Sequence, residues 1–156
     1  MLNSPIIAFF VQGIPETIAL IIAGLTINQV KFDLKYLYPV VTIYTVSAFF
    51  VKQLPFKYGI HTIILIFILA VYLNYWVIKN LLRSLVTSIS AFALQALIET
   101  MFLWFLVDIL NLDLSVIFGN QLNRLLTGLS IPILMLIAIG LIKLIQHRLP
   151  TSKIEL

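Results

Sequence analysis

Two acidic side chains in this chain stand where acidic side chains are costly. Glu16 lies inside the apolar run Ala8-Phe9-Phe10-Val11-Gln12-Gly13-Ile14-Pro15-Glu16-Thr17, and Glu99 lies inside Ala91-Phe92-Ala93-Leu94-Gln95-Ala96-Leu97-Ile98-Glu99-Thr100. The two segments match in register. Ala, Phe, Gln, Glu and Thr recur 83 positions apart, and Leu20/Leu103 and Asn28/Asn111 extend the match. The whole chain has three Glu, so the Gln and Glu-Thr matches weigh more than those of Phe or Leu. A carboxylate in hydrocarbon must be protonated, paired or hydrated through a polar cavity. Gln12 and Gln95 each precede their Glu by four residues, which puts amide and carboxyl on one helical face. The chemistry open to Gln12, Glu16, Gln95 and Glu99 is an intramembrane polar site for protons, a cation or an amine-bearing ligand. The same four side chains would also serve as interhelical hydrogen-bond glue.

The elements that must hold these residues are membrane helices. Of 156 residues, 62% are hydrophobic and 10% charged, whereas a soluble domain is roughly half apolar and about a quarter charged. So few charges cannot coat a soluble surface, and lipid must be the solvent for most of the chain. The pattern predicts an all-α, polytopic transmembrane bundle in one domain with about five spans. These cover about Pro5–Ile27, Tyr36–Leu54, Ile60–Leu81, Leu85–Leu110 and Leu129–Leu149. The first apolar run lacks a basic leader and is too long for a signal-peptide core, so it reads as the first span. Pro15 should bend that span. Between the last two spans, Phe118, Leu122, Leu125 and Leu126 share a face opposite Asn120, Asn123 and Arg124. That spacing predicts one short amphipathic helix on the membrane surface.

Three crossings separate the starts of spans one and four, so the matched segments should run antiparallel, as an inverted repeat. Orientation follows the Lys and Arg. Lys31, Lys35, Lys79, Arg83, Lys143, Arg148 and Lys153 fall on one side, and Lys52, Lys57 and Arg124 on the other. This predicts the N-terminus outside and the C-terminus in the cytoplasm.

Several chemistries find no support. There is no cysteine for thiolate catalysis, disulfides or Cys-ligated metal. His61 and His147 lack a partnering spacing, so no metal site is expected, and His61 reads as an interfacial donor. No span carries a Ser/His or Asp/Asp arrangement, so neither catalytic residues nor a cofactor is expected. A net charge of +4 gives no reason to expect nucleic acid.

The segment Lys52-Gln53-Leu54-Pro55-Phe56-Lys57-Tyr58-Gly59-Ile60-His61-Thr62 resembles a pattern in small membrane modules of Gram-positive, Clostridia-type bacteria. There a basic residue, Leu-Pro and then Gly-Ile-His follow the second span. Such modules precede a cytoplasmic histidine-kinase-like ATPase domain or stand alone. This sequence departs from the kinase form, since it holds no phosphoacceptor helix and no ATP-binding motif. The resemblance implies the sensing module alone, in the bacterial cytoplasmic membrane, with the outer turn Lys52, Pro55, Lys57, Gly59 and His61 as part of its site. The reading is a non-enzymatic sensory or regulatory module that acts through a protein partner or as a homo-oligomer in the bilayer. The alternative is a small secondary transporter or permease subunit that uses Glu16 and Glu99 for proton, cation or solute coupling.

Overall fold

The computed structural model describes residues 5–55, 59–113, 119 and 121–148. Every regular element among them is helical: α1 (Pro5–Ile27), α2 (Leu34–Gln53), α3 (Ile60–Leu73), α4 (Leu81–Trp104) and α5 (Gln121–Arg148). Two π-helical turns, Asn74–Ile78 and Phe105–Ile109, prolong α3 and α4. Five helices are long and apolar enough to cross a membrane, which makes the molecule a multi-pass helical bundle.

The ends of these helices follow from local chemistry. At the end of α1, Gln29 takes the left-handed conformation (φ 51°) and Val30 N–H returns to the Leu25 carbonyl, a turn that satisfies carbonyls left over at a helix end. Lys79 plays the left-handed part after α3 (φ 55°). Asn80 then caps α4, its side chain accepting from Arg83 N–H at 3.1 Å. Gly59 precedes α3 at φ 96°, a backbone conformation that L side chains rarely adopt. α1 continues through Pro15 as one helix.

The helix expected over Phe118–Leu126 is different. Phe118 lies outside the described residues, and from Gln121 onward the chain is already α5, which begins there and not at about Leu129. No stop separates Leu126 from Leu129. Thr127-Gly128 stays helical, and Gly128 lies directly against the Gln12 side chain of α1.

α1 is the central helix. Its second half supplies Ala19, Leu20, Ile21, Ala23 and Leu25 to a core that also holds Val40 and Tyr44 of α2, Leu69 and Leu73 of α3, Ala91 of α4, and Met135 and Ile139 of α5. Contacts along its length fix the directions of its neighbours. Phe9 meets Phe49 (ring centroids 5.2 Å) while Thr17 meets Thr45, so α2 runs antiparallel. Gly24 faces Thr87 and Ala91 while Glu16 faces Gln95, so α4 runs antiparallel too. Gly128 lies at Gln12 and Gln146 at Thr26, so α5 runs parallel.

The α1–α4 contact is close because both surfaces are small. A Cβ at Gly24 would stand 2.7 Å from the Thr87 carbonyl oxygen and 3.0 Å from Ala91 Cβ. On α4 the buried residues are Ser84, Thr87, Ser88 and Ala91, at helical spacing. The three hydroxyls donate to the carbonyls of Asn80, Arg83 and Ser84, four residues back, at 2.7–3.0 Å. The stripe therefore presents only small, satisfied groups, the usual solution where helices approach without a hydrophobic driving force.

Candidate functional site

Antiparallel crossing at Gly24 decides what the matched segments do. Moving from Gly24 toward the start of α1 moves along α4 from Ala91 to Gln95 and Glu99. Gln95 of one segment thus reaches Glu16 of the other, and its Nε2 donates a hydrogen bond to Glu16 Oε1. Gln12 and Glu99 line a common cavity one turn further on, with Glu16 and Lys52 beside them. The two matched segments are not equivalent in detail. No bond joins Gln12 and Glu99 among the described residues, and Gln12 lies instead against Gly128 of α5. Thr17 is buried and accepts from Thr45 Oγ1 at 3.1 Å, whereas its counterpart Thr100 is exposed and donates to the Ala96 carbonyl of its own helix.

Around these groups lies a cavity of about 360 Å³. Its rim, on the side where α1 starts and α2 ends, carries the exposed Lys52 and Thr62. Its walls carry Gln12, Glu16, Gln95 and Glu99, and its far end reaches Leu20, Tyr44, Leu65 and Phe92. Beyond that end the core of Ala23, Leu25, Val40, Leu69 and Leu73 is closed, each 0–1% exposed. A second cavity of about 250 Å³ adjoins it toward α5, bounded by Leu103, Thr127 and Gly128, and shares Gln12, Glu16, Lys52 and Glu99. Volumes of a few hundred Å³ suit a small solute.

The charges are arranged with room between them. Lys52 lines both cavities with both carboxylates, yet among the described residues it forms no ion pair with either. Its ammonium lies 5.3 Å from the centroid of the Phe9 ring, within reach of a cation–π contact. Glu16 is half-buried and held by Gln95, while Glu99 is exposed beside the α4–α5 gap. The lining therefore offers one half-buried carboxyl group, Glu16, one exposed carboxyl group, Glu99, and one ammonium at the rim. Groups of this kind attract an amine or other cation on one side and a carboxylate on the other.

The structure brings together all four residues of the matched segments. Of the outer turn it adds only Lys52 to them. Pro55 is exposed, and Gly59 sets the start of α3. His61 Nε2–H donates to the Leu54 carbonyl at 2.9 Å, tying the first turn of α3 to the end of α2. Lys57 lies outside the described residues. Among the described residues no three His, Asp or Glu are placed to hold a metal ion.

Tyr44, Thr45 and Thr62 are cavity residues that sequence reasoning missed. Tyr44, Thr45 and Lys52 fall on one helical stripe with Ala48, and that periodicity was the available signal. No family model, no curated protein and no solved structure matches the chain.

Proposed function

We propose that this chain is a sensory module of the bacterial cytoplasmic membrane that binds a small, amine-bearing polar solute in the cavity and acts through a partner protein. The observation that carries this reading is the convergence of Glu16, Glu99 and Lys52 on one cavity that has a polar rim and ends on an apolar floor. A pocket closed at depth suits recognition, whereas transport needs access to both sides in turn. The Lys and Arg distribution supports an N-terminus outside, which would turn the rim to the cell exterior. The likeness of Lys52–Thr62 to bacterial sensing modules points the same way. Because α1 carries half of the site and packs through the core against α2, α4 and α5, occupancy that moves α1 would be felt at the opposite face.

The test is the thermal unfolding of nanodisc-reconstituted protein titrated with amino acids, polyamines and short peptides. One amine-bearing class should raise the midpoint in a saturable way. Glu16→Gln with Glu99→Gln should abolish the rise, and Lys52→Gln should weaken only solutes that also carry a carboxylate. A wild-type midpoint that none of these solutes moves would count against the reading.

A second reading, a small transporter or permease subunit, is favoured by the antiparallel copies meeting at Glu16 and Gln95, the arrangement of inverted-repeat transporters. Proton-coupled uptake into proteoliposomes that disappears in both Glu16→Gln and Glu99→Gln would replace the sensor reading with this one.

A further inference from the structure

At the far end of the bundle from the polar cavity, a recess of about 410 Å³ lies between the C-terminal ends of α1 and α5. Its polar lining is Thr26, Gln29, Lys31, Lys143 and Gln146, with no acidic residue. Asp33, two residues from Lys31, lies outside the lining and is paired with Lys35 at 2.9 Å. Among the described residues neither Lys31 nor Lys143 has an ion-pair partner.

Thr26 gives the second, independent observation. The residue is 7% exposed, and its hydroxyl is the one buried side-chain polar atom among the described residues without a hydrogen-bond partner. Such a group is costly to leave unmet. The hydroxyls of Ser84, Thr87 and Ser88 avoid that cost by donating to the carbonyl four residues back. Thr26 does not, and it lines the recess.

The end of a helix normally presents carbonyls that repel an anion. Here three of those at the end of α1 are occupied. The Gly24 carbonyl accepts from Asn28 N–H and from Asn28 Nδ2, the Leu25 carbonyl from Val30 N–H, and the Thr26 carbonyl from Gln29 N–H and Gln146 Nε2. Lys31, Lys143 and Gln29 line the recess beside the unpartnered Thr26 hydroxyl.

We propose that this recess binds a phosphate group, with Lys31 and Lys143 supplying charge and the Thr26 hydroxyl a donor. The group can belong to an anionic phospholipid or be free inorganic phosphate. The recess lies at the ends of the apolar spans of α1 and α5, and Val30 and Phe32 add apolar lining, a setting in which basic pockets between helices take lipid headgroups.

The experiment uses the full chain in phosphatidylcholine nanodiscs. Phosphatidylglycerol is titrated into the bilayer in one arm and inorganic phosphate into the buffer in the other, and the unfolding midpoint is read in both. A saturable rise with phosphatidylglycerol alone assigns the site to lipid, and a rise with phosphate assigns it to the free anion. Either Lys31→Gln or Lys143→Gln should weaken the response about five-fold. Lys79→Gln, at the same end of the bundle but outside the recess, should leave it unchanged. Thr26→Val should also weaken it, without lowering the midpoint in phosphatidylcholine alone. The proposal is overturned if neither arm moves the midpoint, or if Lys79→Gln weakens the response as much as Lys31→Gln does, which is what diffuse surface attraction would give.

Discussion

The Gln95 carboxamide donates to the Glu16 carboxyl across the α1–α4 interface, joining the amide of one matched segment to the acid of the other. Removing the donor leaves Glu16 half-buried without it. Gln95→Leu should therefore cost about 0.5–1.5 kcal/mol, the net worth of a typical hydrogen bond. Glu16→Gln keeps a hydrogen-bonded pair and should change stability by only about 0.6 kcal/mol, typical of an interhelical bond in a membrane. Reversible unfolding in mixed micelles measures both. A Gln95→Leu protein as stable as wild type would show that the pair contributes nothing.

Gly24 and Gly140 make a matched test of the helix crossing. A Cβ at Gly24 would stand 2.7 Å from the Thr87 backbone oxygen, which cannot swing aside, whereas at Gly140 nothing lies within 4 Å. Gly24→Ala should destabilise by about 1–3 kcal/mol through overpacking. Gly140→Ala should be neutral or stabilising by up to about 1 kcal/mol, as expected for Ala over Gly in a helix. The same unfolding assay compares them.

Gly128→Ala should separate stability from binding. The added Cβ would meet the Gln12 carboxamide, the mobile end of a side chain, so the helices need not part. We expect a stability loss of about 1 kcal/mol or less, with Gln12 displaced into the cavity it lines. Any solute that raises the wild-type unfolding midpoint should bind this variant more weakly.

The chain has no cysteine, so single-cysteine variants can map the cavity without background. Thr62→Cys at the rim and Ala48→Cys on the wall should react with a membrane-impermeant thiol reagent, and both from the same side of the membrane. Leu69→Cys, at a position 0% exposed beyond the floor, should not react. Reaction of Ala48→Cys only after denaturation would mean that water does not reach the wall. In intact cells, labelling from the exterior is expected if the N-terminus is outside.

Much of this architecture was legible because the bilayer is a simple solvent. Apolar runs near 20 residues must become helices, since hydrocarbon leaves the backbone no other partner. The match between Gln12–Glu16 and Gln95–Glu99 was visible as identity, and an odd number of crossings made the two segments antiparallel. The stripe Ser84, Thr87, Ser88 and Ala91 was visible in principle at helical spacing, but it reads as generic polarity until its hydroxyls are seen to bond their own helix. The surface helix expected over Phe118–Leu126 shows the limit of local pattern. An amphipathic face does not say whether the membrane surface or a neighbouring helix will cover it, and from Gln121 onward this segment became part of α5.

The sequence by itself determined the helices, their alternation through the membrane, and which polar residues would be costly there. It did so because those outcomes depend on composition and on periods of a few residues. Only the tertiary structure decided that Gln95 bonds Glu16 while Gln12 lies against Gly128, that Lys52 joins the carboxylates at one cavity, and that Thr26 is left unpartnered beside Lys31 and Lys143. Those are matters of helix rotation and crossing distance. They are set by where small residues let backbones approach, as Gly24 does at Thr87, and no single segment carries that information.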